Sequence, residues 1–407
     1  MLKKIPIDEL AVGMCLVDSG LSFIDHPYLY TGNTVVRSRK HIEKLRAQGY
    51  LEFFIDTERG FVARFREQAR EQAREHGRLM KERPDASPER NAKPVTPLEA
   101  EIAVARRLYV QALDYARGAL KSASGGELPN CEQALERVFA FIGSLDRNPH
   151  ALPSMSRIRR RDPYELTHGV NVAVISLLFG RHLGLGVVDL QHLGAAALLH
   201  DLGKIRLPRD IRSKRGRLDS GEFEAVKRHP LLGCQLLKED RGLPEPALKA
   251  VLDHHEKFDG SGYPRGVCGD EISPLARIIT LADIYDALTS ERGYGRPLMP
   301  NQAMSVIYEM RASTFHPEYA ERFIQCLGLY PVGAFVRLSD GSYGVVVDQN
   351  PKKPLTPKVR VILDQRMRHL KPFTVDLDQD PGDCAGLSIN ECLDHREFAM
   401  DINYHLA

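Results

Sequence analysis

Among the histidines and aspartates in the middle of this chain, seven are of particular interest as possible metal ligands: His168, His200, Asp201, His229, His254, His255 and Asp283. Two of them, His200 and Asp201, close the apolar stretch 193–199, where an imidazole beside a carboxylate is costly to bury without a compensating partner. A metal ion is such a partner. Imidazoles and carboxylates without thiolate suit iron, manganese, nickel or zinc better than calcium or magnesium alone.

Each of these histidines, taken alone, would be interpreted as a hydrogen-bonded core residue. Their joint occurrence favours a metal site instead, and seven ligands are enough for two cations. A pair of cations activates a water for attack on phosphorus and neutralises charge on phosphoryl oxygens. The residue types therefore predict the metal site of an enzyme.

Two further features could hold a phosphorylated substrate. Lys204 follows His200-Asp201 closely and could donate to a phosphate oxygen. In the loop 259–264, Gly260 and Gly262 permit backbone turns that other residues avoid, so this loop is expected to provide shape. Tyr263 could stack on a base or cap its own core, and the sequence leaves both open.

The order of these motifs resembles that of the HD-GYP family, a branch of the HD-domain metallophosphohydrolases that degrade the bacterial second messenger cyclic di-GMP. The resemblance covers about residues 150–330 and depends on the whole series, since a single His-Asp pair would be weak evidence. Its elements are Asp162-Pro163, His168, His200-Asp201 with Gly203-Lys204, His229-Pro230, His254-His255-Glu256, Asp259-Gly260 with Gly262-Tyr263-Pro264, and Asp283.

The resemblance implies a cyclic di-GMP phosphodiesterase that forms linear pGpG, and it leaves open whether hydrolysis continues to GMP. Two divalent transition metals are implied, with iron or manganese favoured over nickel or zinc. Asp201 would bridge a first metal held with His168, His200 and Asp283 and a second held by His229, His254 and His255. Asp201 and Lys204 would be catalytic, and the expected substrate contacts are Lys204, Arg296, Tyr263 and Gly262.

The chain departs from the family at two places. Family members with three metals have a glutamate four residues before the first histidine, where this chain has Tyr164. Two metals are therefore expected, although Glu165 could serve as a substitute ligand for a third. The family also commonly has a second cation three residues after Arg296, where this chain has Met299, so one phosphate or guanine contact is missing.

Two alternatives to cyclic di-GMP hydrolysis follow from the second departure. The first is a phosphodiesterase for 3′,3′-linked cyclic GMP-AMP. The other is a catalytically weak nucleotide-sensing or scaffold protein. The intact set of metal-ligating residues argues against the scaffold, because a site without turnover has no need to keep so many costly buried groups.

Composition limits the partners and the compartment. A formal charge of +2 gives no case for DNA or membrane-surface binding, so the nucleotide partner is expected to be small. Seven cysteines without a Cys-x-x-Cys pair predict neither a disulfide framework nor a thiolate zinc site, which fits a reducing cytoplasm. No signal peptide or membrane anchor is expected.

The pattern along the chain predicts a mainly α protein with smaller modules at both ends. Residues 1–83 are expected to form an α+β module that ends in a charged helix, and the proline-rich stretch 84–97 a linker. Two amphipathic helices then lead into the all-helical catalytic bundle within 98–331, and 332–407 form a small β-rich tail. The N-terminal module resembles an uncharacterised domain that often precedes HD-GYP domains, and it could bind a signalling protein. Its charged helix is expected to be solvated and packed on its own domain; the alternative is a coiled coil that forms a homodimer or relays a signal.

Overall fold

The structure, a computed structural model, describes residues 2–11, 14–18, 21, 28–30, 32–36, 39–60, 94–157, 164–212, 214, 216, 218–240, 242–291, 297–350, 353–378, 386–398, 400 and 402–406. The charged helix predicted after residue 60, most of the predicted linker, and Arg296 lie outside these residues.

The N-terminal module is a four-stranded antiparallel sheet with one helix. Its elements are β1 (Leu2–Pro6), β2 (Met14–Leu16), β3 (Thr34–Val35), α1 (Arg39–Ala47) and β4 (Glu52–Gly60), and the strand order is β1-β4-β2-β3. Apolar residues of the strands face α1 and form a small core that includes Leu16, Leu45 and Phe53. The predicted α+β module is confirmed for the described residues.

Helices make up the next part of the chain. They are α2 (Leu98–Ser124), α3 (Cys131–Arg147), α4 (Ala151–Ser154), α5 (Tyr164–His182), α6 (Val187–Leu199), α7 (Arg209–Arg212), α8 (Ser220–Val226), α9 (His229–Asp240), α10 (Glu245–Asp253), α11 (Pro274–Thr289), α12 (Pro300–Glu309) and α13 (Pro317–Leu327). Proline begins α11, α12 and α13, a position where its missing N–H costs nothing. The predicted mainly α fold is confirmed.

Three helices form the centre of the bundle because they are apolar on almost every side. α5 packs against both α6 and α11, and most residues of all three are buried. This burial on all faces follows from the sequence, since a helix without a polar face must be surrounded by others. No helix in the described part of the chain combines the length and hydropathy needed to cross a bilayer.

The chain then forms a five-stranded antiparallel sheet. Its strands are β5 (Phe335–Leu338), β6 (Tyr343–Asp348), β7 (Lys358–Leu363), β8 (His369–Asp376) and β9 (Ile389–Leu393), in the order β8-β7-β6-β5-β9, and a short helix α14 (Ile402–Leu406) follows. The predicted hairpin has Gly341 at φ 87° in its turn, a backbone conformation that favours glycine. The sequence predicted the first three strands; β8 and β9 are additional.

Both smaller modules pack on the helices. β1 contacts α12, and Leu2 and Phe54 belong to the same apolar core as the helical bundle. Met299 at the start of α12 packs against the core of the C-terminal sheet, which includes Ala334 and Val336. Both sheets thus contact the helical part of the chain.

Candidate metal centre

The structure brings all seven predicted metal-ligating residues together, in two groups. The first group is His168, His200 and Asp283, and the second group is Asp201, His229, His254 and His255. Within each group one potential ligand atom per residue lies within 4.8 Å of all the others. Five elements supply them: α5, the ends of α6 and α10, the start of α9, and α11.

Asp201 lies between the two groups. Its Oδ2 is 3.5 Å from Nε2 of His200 and 3.8 Å from Nε2 of His168. Its Oδ1 is 3.3 Å from Nε2 of His229 and 3.9 Å from Nε2 of His254. Each carboxylate oxygen therefore faces one group, as bridging of two cations requires.

Helix ends orient three of the imidazoles. Nδ1 of His200 donates to the carbonyl oxygen of Ala197 (2.8 Å), and His229 and His254 donate in the same way to Val226 and Val251, each at 2.7 Å. Carbonyls in the last turn of a helix lack partners within the helix, so they are ready acceptors. With Nδ1 protonated, each Nε2 keeps its lone pair toward the site.

His168 is oriented by side chains instead. Its Nδ1 lies 2.7 Å from Oδ2 of Asp286 and 2.9 Å from the hydroxyl of Tyr164, whereas Nε2 is 3.1 Å from Oδ1 of Asp283. Because a carboxylate only accepts, Nδ1 donates to Asp286 and Nε2 is directed toward Asp283. This carboxylate–histidine arrangement is common behind metal ligands.

Burial and charge set the protonation states of the second group. Burial holds the pKa of His254 well below its usual value, and burial together with His254 does the same to the pKa of His255. Burial alone would raise the pKa of Asp201, but Lys204 and His200 bring it well below the usual range. Neutral imidazoles and an ionised carboxylate are the forms that bind metal.

In the first group, His168 lies between two carboxylates, Asp283 and Asp286. Burial lowers the pKa of His200. Burial would do the same for His168, but its hydrogen bonds with Asp283 and Asp286 raise the pKa of His168 to about 9. Asp283 is buried, yet His168 lowers the pKa of its carboxyl group. Two carboxylates thus attract positive charge to this group.

A cation fits both groups on the chemistry of their donor atoms. Nε2 of His229 and Nε2 of His254 are 3.3 Å apart, and both carry lone pairs because their Nδ1 atoms donate to carbonyls. Nε2 of His200 is buried and has no hydrogen-bond partner among the described residues. Such buried lone pairs are costly unless a positive charge satisfies them.

Lys204 lies beside the bridging carboxylate, in the 3-10 turn Leu202–Arg206. Its Nζ donates to Oδ2 of Asp201 at 2.7 Å, and its side chain is 37% exposed. Gly203 lets this turn approach α9, because a Cβ atom there would lie 2.0 Å from the carbonyl oxygen of His229. The glycine is needed for this close contact.

The loop 259–264 folds back over the second group. A Cβ atom at Gly262 would lie 2.3 Å from the backbone nitrogen of Lys257, so close packing accounts for this glycine. Tyr263 is 9% exposed, packs with Phe223, and has its ring centre 4.8 Å from that of His255. This burial favours core capping over base stacking; the substrate-binding assignment of Gly262 and Tyr263 stays a prediction.

The structure shows what the residues contact at the two places where the chain departs from the family. The Tyr164 hydroxyl is directed to His168, and Glu165 is exposed and outside both groups. Met299 packs on the C-terminal sheet, which accounts for an apolar residue there.

Sequence reasoning missed two supporting interactions. Asp286 contacts His168, and its spacing of three from Asp283 on a predicted helix was the signal that could have revealed it. Arg265 is the second. Its guanidinium donates to buried Asp253 at 2.6 Å, and its backbone nitrogen donates to Glu256 at 2.7 Å, which ties the loop to the end of α10.

Family comparisons divide the chain into three matched segments. Residues 145–319 match an HD domain, residues 2–134 a domain of unknown function (DUF3391), and residues 335–399 a KOW domain associated with the HD domain. The HD match includes all seven residues of the two groups. The domain boundaries expected from the sequence stay predictions.

Several curated proteins are similar to this chain. A cyclic di-GMP phosphodiesterase of Pseudomonas aeruginosa is 34% identical over 90% of this chain and 87% of its own length. A 3′3′-cGAMP-specific phosphodiesterase of Vibrio cholerae is 40% identical over 42% of this chain and 37% of that protein. A cyclic di-GMP phosphodiesterase response regulator of Xanthomonas campestris is 38% identical over 47% and 51%. Given the near full-length similarity to the first and the HD-domain match, the chain belongs to the HD-GYP family of cyclic di-GMP phosphodiesterases.

Proposed function

We propose that this enzyme hydrolyses cyclic di-GMP to linear pGpG with two divalent transition metals, one held by each group. The near full-length similarity to a cyclic di-GMP phosphodiesterase supports the substrate. The observation that carries the proposed mechanism is the position of Asp201, whose two carboxylate oxygens face different groups. A bridging carboxylate keeps two cations close together without strong mutual repulsion.

Two bound cations supply a water of lowered pKa and positive charge near the phosphoryl oxygens. The protein's part is to hold them. The neutral imidazoles of His254 and His255 donate lone pairs, and the ionised carboxylates of Asp201 and Asp283 balance positive charge. The Nδ1 hydrogen bonds of His200, His229 and His254 to backbone carbonyls keep these imidazoles from rotating, so the site needs little reorganisation when a cation binds.

Lys204 is the proposed contact for the scissile phosphate. Its ammonium bonds Asp201 at 2.7 Å, and its partial exposure lets it reach a substrate. It would stabilise negative charge on a non-bridging oxygen and could give a proton to the leaving 3′ oxygen. Arg296 is proposed as a second phosphate or guanine contact on the resemblance alone.

Iron or manganese is the proposed metal, and the cytoplasm is the proposed compartment. Imidazole and carboxylate donors suit both ions. Among the described residues six cysteines are free thiols, in keeping with a reducing environment. A second substrate, 3′,3′-cyclic GMP-AMP, is retained because a relative specific for it matches part of the chain.

The test is hydrolysis by anaerobically purified protein loaded with iron or manganese. We expect pGpG to be the first product when the reaction mixture with cyclic di-GMP is separated by chromatography. Cyclic GMP-AMP should be hydrolysed more slowly than cyclic di-GMP. Lys204→Ala should lower the rate on the order of 100-fold or more while two metals stay bound. Lys227→Ala, which removes a surface lysine paired with Glu224, is the matched control and should leave the rate unchanged.

Different outcomes point to the alternatives. Faster hydrolysis of cyclic GMP-AMP would make that nucleotide the substrate. Protein that holds two metals and binds cyclic di-GMP, but hydrolyses neither nucleotide, would be a sensor or scaffold.

A further inference from the structure

A chain of hydrogen bonds runs from α2 to the first group. The hydroxyl of Tyr109 donates to Oδ1 of Asn171 at 2.5 Å, and Nδ2 of Asn171 donates to Oδ1 of Asp286 at 2.8 Å. Oδ2 of Asp286 accepts from Nδ1 of His168 at 2.7 Å. All four residues are at least 96% buried.

Each bond in this chain fixes the next. An amide can turn over and exchange its oxygen and nitrogen, but Asn171 must present nitrogen to Asp286 because a carboxylate only accepts, and its oxygen then accepts from the Tyr109 hydroxyl. Oδ1 of Asp286 also accepts from the Ser290 hydroxyl at 3.0 Å, which leaves Oδ2 for the imidazole. Without the tyrosine hydroxyl, the amide would lose the hydrogen bond that holds its oxygen end in place.

Helix geometry explains why these residues meet. His168 and Asn171 are three apart on α5, and Asp283 and Asp286 are three apart on α11, so each pair lies on one helix face. α5 packs against both α11 and α2, which places Tyr109 at the far end of the chain of hydrogen bonds. α2 lies within the segment that matches a domain of unknown function, outside the HD match.

We propose that Tyr109 is a positioning residue for the metal centre, which acts through Asn171 and Asp286 to direct Nε2 of His168 toward Asp283. This inference rests on the proposed metal site. It means that the segment before the HD domain contributes to the affinity of the first group for a cation. A shift of α2 would then change metal binding without touching any ligand.

Metal titration of apo protein tests this directly. Mn²⁺ affinity would be measured by competition with a chromophoric chelator, which needs no substrate. Loss of outer partners of metal-ligating histidines typically lowers metal affinity by about 10- to 100-fold, and Asp286→Asn should do so at one of two sites. Tyr109→Phe should weaken the same site by about three- to tenfold, as expected for one hydrogen bond.

Tyr115→Phe is the matched control. Tyr115 lies on the same helix, is also buried, and its hydroxyl donates to the carbonyl oxygen of Asn130 at 3.1 Å, away from both groups. It should lower the melting temperature as Tyr109→Phe does and leave both Mn²⁺ affinities unchanged. In an Asp286→Asn background, Tyr109→Phe should have no further effect on affinity, because the connection is already broken.

The outcomes separate this inference from the proposed function. Suppose that the wild-type protein binds two Mn²⁺ ions and that Tyr109→Phe has the Mn²⁺ affinities of the wild type or of Tyr115→Phe. That result would overturn the positioning role of Tyr109 alone. Wild-type protein that binds no cation would overturn the metal site and the inference with it. If Tyr109→Phe does not fold, an unchanged affinity in Asp286→Asn overturns the inference.

Discussion

The two groups of the metal centre are built from similar residues but are supported in different ways. In the second group, His229 and His254 donate to backbone carbonyls at helix ends. In the first group, His168 donates to a side-chain carboxylate that is itself held by Asn171. The orientation of His229 and His254, like that of His200 in the first group, is therefore inseparable from the fold, whereas that of His168 depends on side chains that can be changed one at a time.

Charge differs as well. The second group has three imidazoles and shares the single carboxylate of Asp201, and burial keeps His254 and His255 neutral by lowering the pKa of each. The first group has Asp283 as its own carboxylate and Asp286 behind His168. We expect the first group to bind a cation through charge and the second mainly through directed lone pairs.

Asp201 belongs to both groups, so its loss should have the largest effect. Asp201→Ala would leave two cations facing each other without a shared anion. We expect cyclic di-GMP hydrolysis to fall below detection and the metal content to fall to one per chain or fewer, as measured by elemental analysis. Asp189→Ala, at an exposed position of α6, is the control. Near-normal activity with two metals would show that Asp201 is not the bridge.

The groups should respond unequally to loss of one ligand. Asp283→Asn removes a buried negative charge, whereas His255→Ala removes a neutral imidazole. Loss of a residue that only supports a metal ligand lowers metal affinity by about 10- to 100-fold. Asp283→Asn should therefore lower Mn²⁺ affinity at the first group by more than about 100-fold, and His255→Ala should lower the affinity of the second group by less. Two-site Mn²⁺ titration compares them. Equal losses would contradict the difference in charge.

The support of the second group should resist side-chain substitution. Val251 gives its carbonyl oxygen to His254, and its fully buried side chain serves only the core. Val251→Ala should therefore lower the free energy of unfolding by about 2 kcal/mol and leave Mn²⁺ affinity unchanged. Denaturant unfolding of the apo protein and metal titration measure the two quantities. A weaker second site would mean that this support depends on packing as well as on the backbone.

The sequence predicted which residues the two groups contain better than it predicted what surrounds them. Histidines and aspartates at separated but ordered positions identify themselves by type, and apolar runs predict the helices that carry them. The role of Tyr109 could not be predicted, because its partner Asn171 is 62 positions away and a tyrosine on an amphipathic helix usually serves only the core. Met299 stands where the family commonly has a cation, and its packing on a sheet that begins more than thirty residues later is a contact that sequence reasoning did not predict.

The smallest expected effect concerns a third metal beside the first group. Tyr164 stands where a glutamate would bind that metal, and its hydroxyl is 2.9 Å from Nδ1 of His168. Glu165 is exposed and outside both groups, so Glu165→Ala should change neither metal content nor activity. Elemental analysis of fully loaded protein should give two metals per chain for both proteins. Three metals in the wild type that fall to two in Glu165→Ala would show that the exposed carboxylate moves inward when a cation binds. In that case the first group could recruit a ligand from the surface, whereas the second group, enclosed by helix ends and by the loop that contains Tyr263, could not.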